Sequence, residues 1–226
     1  MSRADTTPSA EERARLSLGT SGEAVYRMVA AALAGRHAGG GTLLDVGCGS
    51  GQLWPFVADQ FDRYAGADVV RYAGFPDGAE FSAVELDGGR VPLPDGAADA
   101  VVAAETIEHL ENPRGFVREL TRLAKPGGWV VVTTPNQLSL LSKLGLLVRN
   151  QFPHFRGSNY PAHLTALLEI DLRRMLGECG LADVAVAYSG RGRMPGVRWH
   201  WPGFLSRSVR RTFSDNVLAI GRKAGG

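Results

Sequence analysis

From Thr42 onwards, short apolar runs of the strand type alternate with segments that are long enough to form helices. Five strand candidates precede residue 137, and in chain order they are TLLDVG, RYAGADV, AEFSAVEL, ADAVVAAE and WVVVTTP. Several of these runs are apolar almost throughout, which is typical of strands covered on both faces of a sheet. Because helices that connect parallel strands form right-handed crossovers, the alternation predicts an α/β fold with a doubly wound, mostly parallel sheet.

The most clearly delimited helix candidate is the segment NPRGFVRELTRLAKPGG. Asn112 suits the capping position, Pro113 suits the first helical position, and Gly127 suits the end of the helix. Its apolar face consists of Phe116, Val117, Leu120 and Leu123. Farther along the chain we expect a helix from Glu169 to Cys179 and two more strands, ADVAVAYSG and DNVLAIGRK.

The length of 226 residues suits one main domain, since single α/β domains commonly reach about 200 residues. We therefore treat residues 21–226 as one domain and residues 1–20 as a polar lead-in. Two insertions, residues 137–165 and 191–214, interrupt the regular alternation, and we expect them to cover the ligand site.

The composition narrows the class of protein. A formal net charge of +2 is too small to indicate a nucleic-acid or membrane partner. Basic residues nonetheless crowd the last quarter, either as a solvated edge or as an attraction for phosphate, anionic lipid or an acidic substrate. The two cysteines are too few for a disulfide framework, and the sequence has neither a secretory signal core nor an apolar stretch of about 18 residues. We expect a cytoplasmic protein, at most peripheral to a membrane.

The first strand candidate runs directly into a glycine-rich turn, LLDVGCGSGQL. Gly47, Gly49 and Gly51 place bare backbone at the carboxyl edge of the sheet, where doubly wound folds bind their ligands, and a helix should begin near Gln52. A turn of this kind serves packing or phosphate binding in many proteins.

Acidic residues in and after the motif narrow the class of ligand that the turn is expected to bind. Asp68 ends the next strand candidate, about 20 residues on, where an acidic group accepts ribose hydroxyls. Asp87 ends the third strand candidate, within reach of an adenine amine, and Gly88 offers an N–H to a ring nitrogen. Asp45 lies inside the motif, where a carboxylate would repel a pyrophosphate but orient a positively charged amino-acid group. A dinucleotide fits this set less well.

Four ordered motifs resemble the class I S-adenosylmethionine-dependent methyltransferases over residues 42–136. They are LLDVGCGSGQL, Asp68, VELDGGRVPLPDGAADAVVAAETIEHLENP and LAKPGGWVVVTTPN. The resemblance implies a seven-stranded sheet whose last strand is antiparallel, and S-adenosyl-L-methionine as the cofactor. The cofactor-binding residues that we expect are Asp45, Gly47, Cys48, Gly49, Gly51, Asp68, Val69, Asp87, Gly88 and Ala104.

The segment ETIEHLENP follows the fourth strand candidate and carries a second group of functional side chains. Glu105, Glu108 and His109 are spaced i, i+3 and i+4, so they project to one side of a helical turn beside the glycine loop. An acceptor hydroxyl has to lose a proton during methylation. Either His109 takes that proton as a general base, or a divalent cation lowers the pKa of the hydroxyl.

The pattern Glu-x-x-Glu-His with a later histidine resembles the metal-dependent 2′-O-methyltransferases of small-RNA 3′ ends. Its first part also resembles the ubiquinone-pathway O-methyltransferases. These resemblances imply that Mg, Mn or Zn is held by Glu105, Glu108, His109 and His163. Alternatively, the Glu-His pair caps the turn and lines the cofactor site without binding a metal.

The first insertion contains the strongly apolar segment QLSLLSKLGLLVRNQF. Leu140, Leu141, Leu144, Leu147 and Val148 have helical spacing, and a packed helix is the default interpretation. The alternatives are a substrate lid and a peripheral membrane contact through residues 138–152. Substrate-binding candidates follow at Phe152, His154, Phe155 and Tyr160. Trp199, His200 and Trp201 in the second insertion either form a further wall of the site or seal the sheet edge.

We expect a methyltransferase that acts on oxygen in a small-molecule acceptor, such as a sugar, a phenol or a lipid-linked precursor. Glu105, Glu108 and His109 are the expected catalytic residues. The alternatives are RNA 2′-O-methylation, although nothing in the chain resembles an appended RNA-binding module, and a cofactor-binding regulatory protein without turnover.

Overall fold

The computed structural model describes residues 11, 19–157 and 159–225, so most of the predicted lead-in at residues 1–20 lies outside the described residues. The strands are β1 (Thr42–Val46), β2 (Arg63–Asp68), β3 (Glu80–Ala83), β4 (Ala98–Ala103), β5 (Ala124–Pro135), β6 (Leu181–Tyr188) and β7 (Asn216–Lys223). The helices of the described residues from 19 onwards are α1 (Glu23–Ala34), α2 (Trp54–Val57), α3 (Pro113–Leu123), α4 (Leu140–Arg149), α5 (Glu169–Glu178) and α6 (Gly203–Ser208). Two 3-10 turns lie at Ile107–His109 and Pro153–Phe155.

The seven strands form one sheet in the order β3-β2-β1-β4-β5-β7-β6. Neighbouring strands from β3 to β5 are parallel, whereas β7 runs antiparallel to both β5 and β6. The predicted α/β fold, with an antiparallel last strand, is confirmed. Strand order reverses between β1 and β4, and the connections diverge there, which leaves a crevice at the carboxyl ends of these strands.

Apolar side chains cover both faces of the sheet, as the near-continuous apolar strands predicted. On one face, Val29 and Leu33 of α1 belong to the same buried cluster as Leu43 of β1. On the other face, Leu120 of α3 and Leu172 of α5 belong to a second buried cluster. The two layers hold the strand ends rigidly around the crevice.

The helix α3 begins as predicted but ends earlier. The Asn112 side chain accepts the amide of Gly115, and Pro113 takes the first helical position. The helix ends at Leu123 rather than near Gly127, because Pro126 has no N–H to continue it. The ammonium group of Lys223 donates to the carbonyl of Ala124 at 2.8 Å and fixes this end.

Two further boundaries differ from the sequence expectation. The strand β3 ends at Ala83, so Asp87 lies four residues beyond it rather than at its end. The carbonyl of Asp68, the last residue of β2, accepts the amide of Val84 at 2.9 Å, and β2 offers no further residue for pairing. The helix after the glycine turn is only the four residues of α2 and begins two residues after Gln52.

The helix α4 turns its apolar stripe outward, so the packed-helix interpretation is wrong. Leu147 is 82% exposed and Val148 is 76% exposed, whereas Ser142 is 1% exposed. The inner side lies so close to the next turn that a Cβ on Gly145 would come within 2.9 Å of Pro153. Only small side chains fit there, and the leucines therefore lie elsewhere on the helix.

Among the described residues, none of the helices combines the length and the hydropathy that crossing a membrane requires.

Candidate functional site

A cleft of about 580 Å³ lies at the carboxyl ends of β1, β2 and β4. Most of the predicted cofactor-binding residues line it, namely Asp45, Gly47, Cys48, Gly49, Asp68, Val69, Asp87 and Ala104. The crevice that the strand order creates is therefore where the glycine loop and the acidic side chains meet.

The glycine loop is pressed between two neighbouring segments. Gly47 has φ +79°, and a Cβ there would lie 2.2 Å from the hydroxyl oxygen of Thr106. Gly49 has φ +51°, and a Cβ there would lie 2.1 Å from the carbonyl oxygen of Gly19. Both positions need glycine for its backbone conformation and for the lack of space.

Two of the glycines predicted to bind the cofactor do not line the cleft. Gly51 packs against Pro76, since a Cβ would lie 2.3 Å from that ring. The N–H of Gly88, predicted to reach a ring nitrogen, donates instead to the carbonyl of Leu86 at 3.1 Å. Leu86 itself lines the cleft and presents an apolar side chain that the sequence interpretation missed.

Asp45 is a buried carboxyl group at the floor of the cleft. Its side chain is 2% exposed, and Oδ2 accepts the Tyr64 hydroxyl at 2.8 Å. Oδ1 is buried and has no hydrogen-bond partner among the described residues. Burial raises the pKa of Asp45 to about 7. A buried acceptor of this kind fits a cationic amino group, which would satisfy the oxygen and favour its ionised form.

Asp68 ends β2 and is oriented by the backbone around it. Oδ2 accepts the amide of Gly49 at 2.8 Å, and Oδ1 accepts the amide of Val69 at 2.7 Å. Burial raises the pKa of Asp68, and the two backbone amides oppose that rise. Each oxygen keeps acceptor capacity for a further donor, as binding of ribose hydroxyls requires.

Asp87 borders the cleft but already has a structural role. Its two carboxylate oxygens accept the amides of Glu111 and Asn112, at 2.7 and 2.9 Å. The side chain thus anchors the segment that leads into α3. The same oxygens retain lone pairs for an adenine amine.

Residues near the N-terminus line the cleft although no motif marks them. They are Gly19, Thr20, Ser21, Gly22 and Tyr26, and Tyr72 from the loop after β2 lines the cleft as well. The amide of Ser50 donates to the carbonyl of Gly19 at 2.9 Å, and the amide of Ser21 donates to the Tyr26 hydroxyl at 2.7 Å. A domain boundary at residue 20 therefore cuts through a segment that packs on the glycine loop.

Glu105 adopts a backbone conformation that is unusual for its residue type. Its φ is +52°, a strained value that clusters at functional sites. Oε1 accepts the Thr133 hydroxyl at 2.9 Å and Oε2 accepts the Asn216 amide group at 2.7 Å. Burial, with the nearby Glu108 carboxylate as the second cause, raises the pKa of Glu105 well above its ordinary value.

Glu108, His109 and His163 converge so that one ligand atom from each lies within 4.8 Å of the others. Glu105, the fourth metal ligand expected from the sequence, falls outside this group. Glu108 is 1% exposed and accepts the Thr134 hydroxyl at 3.1 Å. Burial raises the pKa of Glu108 to about 8.

The two imidazole rings of this group are held in defined orientations. Nδ1 of His109 lies 2.7 Å from the carbonyl of Ala162, which can only accept, so Nδ1 carries a proton. Nδ1 of His163 is buried without a hydrogen-bond partner among the described residues. Burial and the neighbouring His109 lower the pKa of His163 to about 4, so its ring is neutral at neutral pH.

Backbone hydrogen bonds join the two segments that carry this group. The carbonyl of Glu108 accepts the amides of Leu164 and Thr165, at 2.9 and 3.0 Å, and the Thr165 hydroxyl donates to the carbonyl of Leu110. These bonds bring His163 beside a motif more than fifty residues earlier in the chain. One carboxyl group and two imidazole rings are a donor set suited to Zn or Mn more than to Mg.

The substrate candidates divide into two pairs. His154 and Tyr160 line the cleft, together with Asn159. Phe152 and Phe155 do not line it, and Phe155 instead packs behind His163 with ring centroids 5.5 Å apart. Burial, with the charge of Arg193 as the second cause, lowers the pKa of His154 to about 4.

The second insertion, residues 191–214, contributes no side chain to the lining of the cleft. Trp201 packs on Phe213, with centroids 4.8 Å apart, and Trp199 is exposed, so these tryptophans are not a wall of the site. The insertion instead contacts a residue of the lining. The Arg193 guanidinium lies 2.9 Å from Nε2 of His154 and 2.9 Å from the carboxylate of Asp215.

Comparisons with known proteins agree with this geometry. Residues 22–186 match a family described as "Methyltransferase domain". A protein of Mycolicibacterium smegmatis named as a probable S-adenosylmethionine-dependent methyltransferase is 33% identical over 177 residues, which are 74% of this chain and 66% of that protein. The ubiquinone biosynthesis O-methyltransferase of Chromobacterium violaceum is 34% identical over 180 residues, 72% of this chain and 74% of its own.

A solved structure shares the fold. The S-adenosylmethionine-dependent methyltransferase from Archaeoglobus fulgidus superposes with a TM-score of 0.62 at 18% identity, and the superposition covers 88% of this chain and 94% of that chain.

Proposed function

This chain belongs to the S-adenosylmethionine-dependent methyltransferases, and from that premise we propose that it methylates a hydroxyl oxygen of a small molecule. The acceptors we propose are sugars, phenols and lipid-linked precursors. The observation that carries the proposal is the convergence of Glu108, His109 and His163 on the cleft that also holds Asp45 and Asp68. A hydroxyl has to lose its proton as the oxygen is methylated, so it needs such a group beside the cofactor.

S-adenosylmethionine supplies the methyl group when it is bound. We assign its amino group to Asp45, because the partnerless Oδ1 of that residue needs a donor. We assign its ribose to Asp68, whose oxygens are already oriented by Gly49 and Val69. The adenine ring then lies beside Leu86 and Asp87.

The acceptor lies on the other side of the reacting methyl group. Methyl transfer from a sulfonium is an in-line displacement, and much of its catalysis is the positioning of the nucleophile. We assign this role to His154, Asn159 and Tyr160, which line the cleft and would supply polar and aromatic contacts for a ring or a sugar.

We further propose that Glu108, His109 and His163 hold a divalent cation. A bound cation lowers the pKa of an acceptor hydroxyl and orients it. We favour this assignment over His109 acting alone as the base, because it gives a partner to the buried Nδ1 of His163. The ubiquinone biosynthesis O-methyltransferase among the relatives agrees with methylation of oxygen.

The cation assignment is tested by titrating Mn²⁺ into chelator-treated protein in a calorimeter. We expect one site per chain and an affinity at least about tenfold lower in His163→Ala, since loss of a ligand weakens a metal site by this order or more. His200→Ala is the matched control, because His200 is exposed and is not a member of the cluster, and it should bind Mn²⁺ like the unmodified protein. Equal binding by His163→Ala would show that no cation is held there.

The acceptor assignment is tested by methyl transfer from labelled S-adenosylmethionine to panels of phenols, glycosides, amines and a short RNA. We expect label on a hydroxyl oxygen of a small molecule, and its loss in His109→Ala. Label that appears only on nitrogen, or only on RNA, would overturn the proposed acceptor class without affecting the cation measurement.

A further inference from the structure

The helix α4 presents an apolar surface that no part of the described chain covers. We call the side chains of Leu144, Leu147 and Val148 the α4 face; their spacing of i, i+3 and i+4 puts them on one side of the helix. Leu144 is 36% exposed, and the other two are among the most exposed large apolar side chains described. Exposed apolar side chains that adjoin on one surface indicate an interaction site more often than single ones do.

The orientation of α4 is the reverse of an ordinary surface helix. Its inner side carries Ser142 and Gly145, whereas leucine and valine point into solvent. A helix that serves only to pack on its own domain buries its apolar stripe. The α4 face is therefore explained by a partner outside the described chain.

The charges around the α4 face identify the kind of partner. Residues 137–165 and 191–214 contain no aspartate or glutamate, but three basic residues in the first insertion and six in the second. Two of these six, Arg193 and Arg211, are paired with Asp215 and Glu169 outside the insertions. Lys143 and Arg149 are exposed and belong to α4 itself. The two insertions are joined, since the amide of Leu140 donates to the carbonyl of Thr212 at 2.8 Å. An apolar strip with basic residues and without acidic ones complements an anionic lipid surface.

We propose that the α4 face binds the surface of an anionic lipid bilayer, with Leu147 and Val148 in the interface and Lys143 and Arg149 near the lipid headgroups. The ten residues of α4 are too few to cross a bilayer, so the helix lies along its surface. Two copies of this basic face would repel each other, which argues against self-association. Exposed leucine and valine side chains do not serve the binding of RNA, which argues against RNA as the partner. The proposal does not rest on the proposed acceptor.

The experiment is co-flotation of the purified protein with vesicles of equal parts phosphatidylcholine and phosphatidylglycerol. We expect the unmodified protein to float with these vesicles and to be released from them by high salt. It should not float with vesicles of phosphatidylcholine alone. Leu147→Gln should lower the partition coefficient about tenfold or more, since it removes a leucine that the interface buries. Its exposed position lets the variant fold, which the melting temperature checks.

The matched control is Ile170→Gln, which removes an equally apolar exposed side chain from α5, outside both insertions. It should float like the unmodified protein. Absence of flotation with anionic vesicles, or equal flotation of Leu147→Gln, overturns the proposal. So does a dimer in sedimentation that Leu147→Gln dissociates, because the face then joins two copies. Displacement from vesicles by short RNA with no effect of Leu147→Gln would assign the basic surface to nucleic acid and also overturn it.

Discussion

Asp45 combines a hydrogen bond within the fold with the cofactor contact that we propose. One carboxylate oxygen accepts the Tyr64 hydroxyl, and the other is buried without a partner among the described residues. Burying an unpaired charge is costly, and the pKa of about 7 shows that cost. A cationic ligand would remove this cost, and we propose that the amino group of the cofactor is that ligand.

This arrangement predicts how cofactor affinity depends on pH. A cation binds the ionised carboxylate, so binding releases a proton from Asp45, and affinity should rise between about pH 6 and pH 7.5. Asp45→Asn should bind S-adenosylmethionine about tenfold more weakly, as loss of a charge-assisted hydrogen bond implies, and with a flatter pH dependence. Calorimetry in two buffers of different ionisation enthalpy measures both effects.

The exposed Asp77→Asn is the control for a change of charge, and it should leave affinity and pH dependence unaltered.

The titration of Asp45 also affects the stability of the protein without cofactor. Its free energy of unfolding should fall as pH rises from about 4 to about 7, because the unfolded chain releases the proton of Asp45 and the folded chain retains it. A cofactor affinity that stays constant between about pH 6 and pH 7.5 would contradict the proposed role of Asp45.

At the scale of residues, the sequence predicts the cofactor side better than the acceptor side. Asp45 and Asp68 lie near the carboxyl ends of the neighbouring parallel strands β1 and β2, so their places follow from the motif and the topology of the fold. Glu105 leaves the predicted metal cluster because its positive φ turns it towards Thr133 and Asn216. His163 joins the cluster through backbone hydrogen bonds to Glu108 that no local pattern reveals.

At the scale of elements, the glycine loop shows how close packing shapes the cleft. Gly47 and Gly78 have nearly the same φ, +79° and +78°. They differ in surroundings, since a Cβ at Gly47 meets Thr106 at 2.2 Å and one at Gly78 meets nothing within 4 Å. The pair therefore separates conformational strain from steric exclusion.

We predict that Gly78→Ala lowers the free energy of unfolding by about 1 to 2 kcal/mol, the cost of a left-handed conformation for an L-residue. Gly47→Ala should cost roughly 1 to 3 kcal/mol more, because Thr106 is buried and has to move. It should also weaken the binding of S-adenosylhomocysteine, which Gly78→Ala leaves intact. Denaturant unfolding and calorimetry measure these effects, and equal results for the two variants would contradict the steric account.

The helix α4 shows where prediction of elements stops. The spacing of its leucines gives the helix and its bounds within a few residues, but periodicity does not state which side faces the protein. The structure turns the small residues Ser142 and Gly145 inward, because the following turn lies close to Gly145. Such proximity depends on the tertiary structure. In the sequence, the only indication of an outward apolar side is that the segment contains more leucine than one buried face requires.

At the scale of the whole molecule, one sheet organises all of the functional parts. The alternation of strands and helices predicts a doubly wound, mostly parallel sheet, and the family resemblance implies its seven strands. The reversal between β1 and β4 sets the position of the cleft. The roles of the two insertions were harder to predict. The first lines the cleft through His154, Tyr160 and His163, whereas the second contacts the lining residue His154 through Arg193. Sequence distance gives no measure of which insertion lies nearer.

The most direct test of the account is a crystal structure of the protein with S-adenosylhomocysteine and Mn²⁺, with anomalous data. We predict ribose hydroxyls on Asp68, the amino group on Asp45, and an anomalous peak between Glu108, His109 and His163 on the side to which the sulfur points. A cofactor that binds away from Asp45 and Asp68, or a sulfur that points away from an empty Glu108–His109–His163 cluster, would contradict the account.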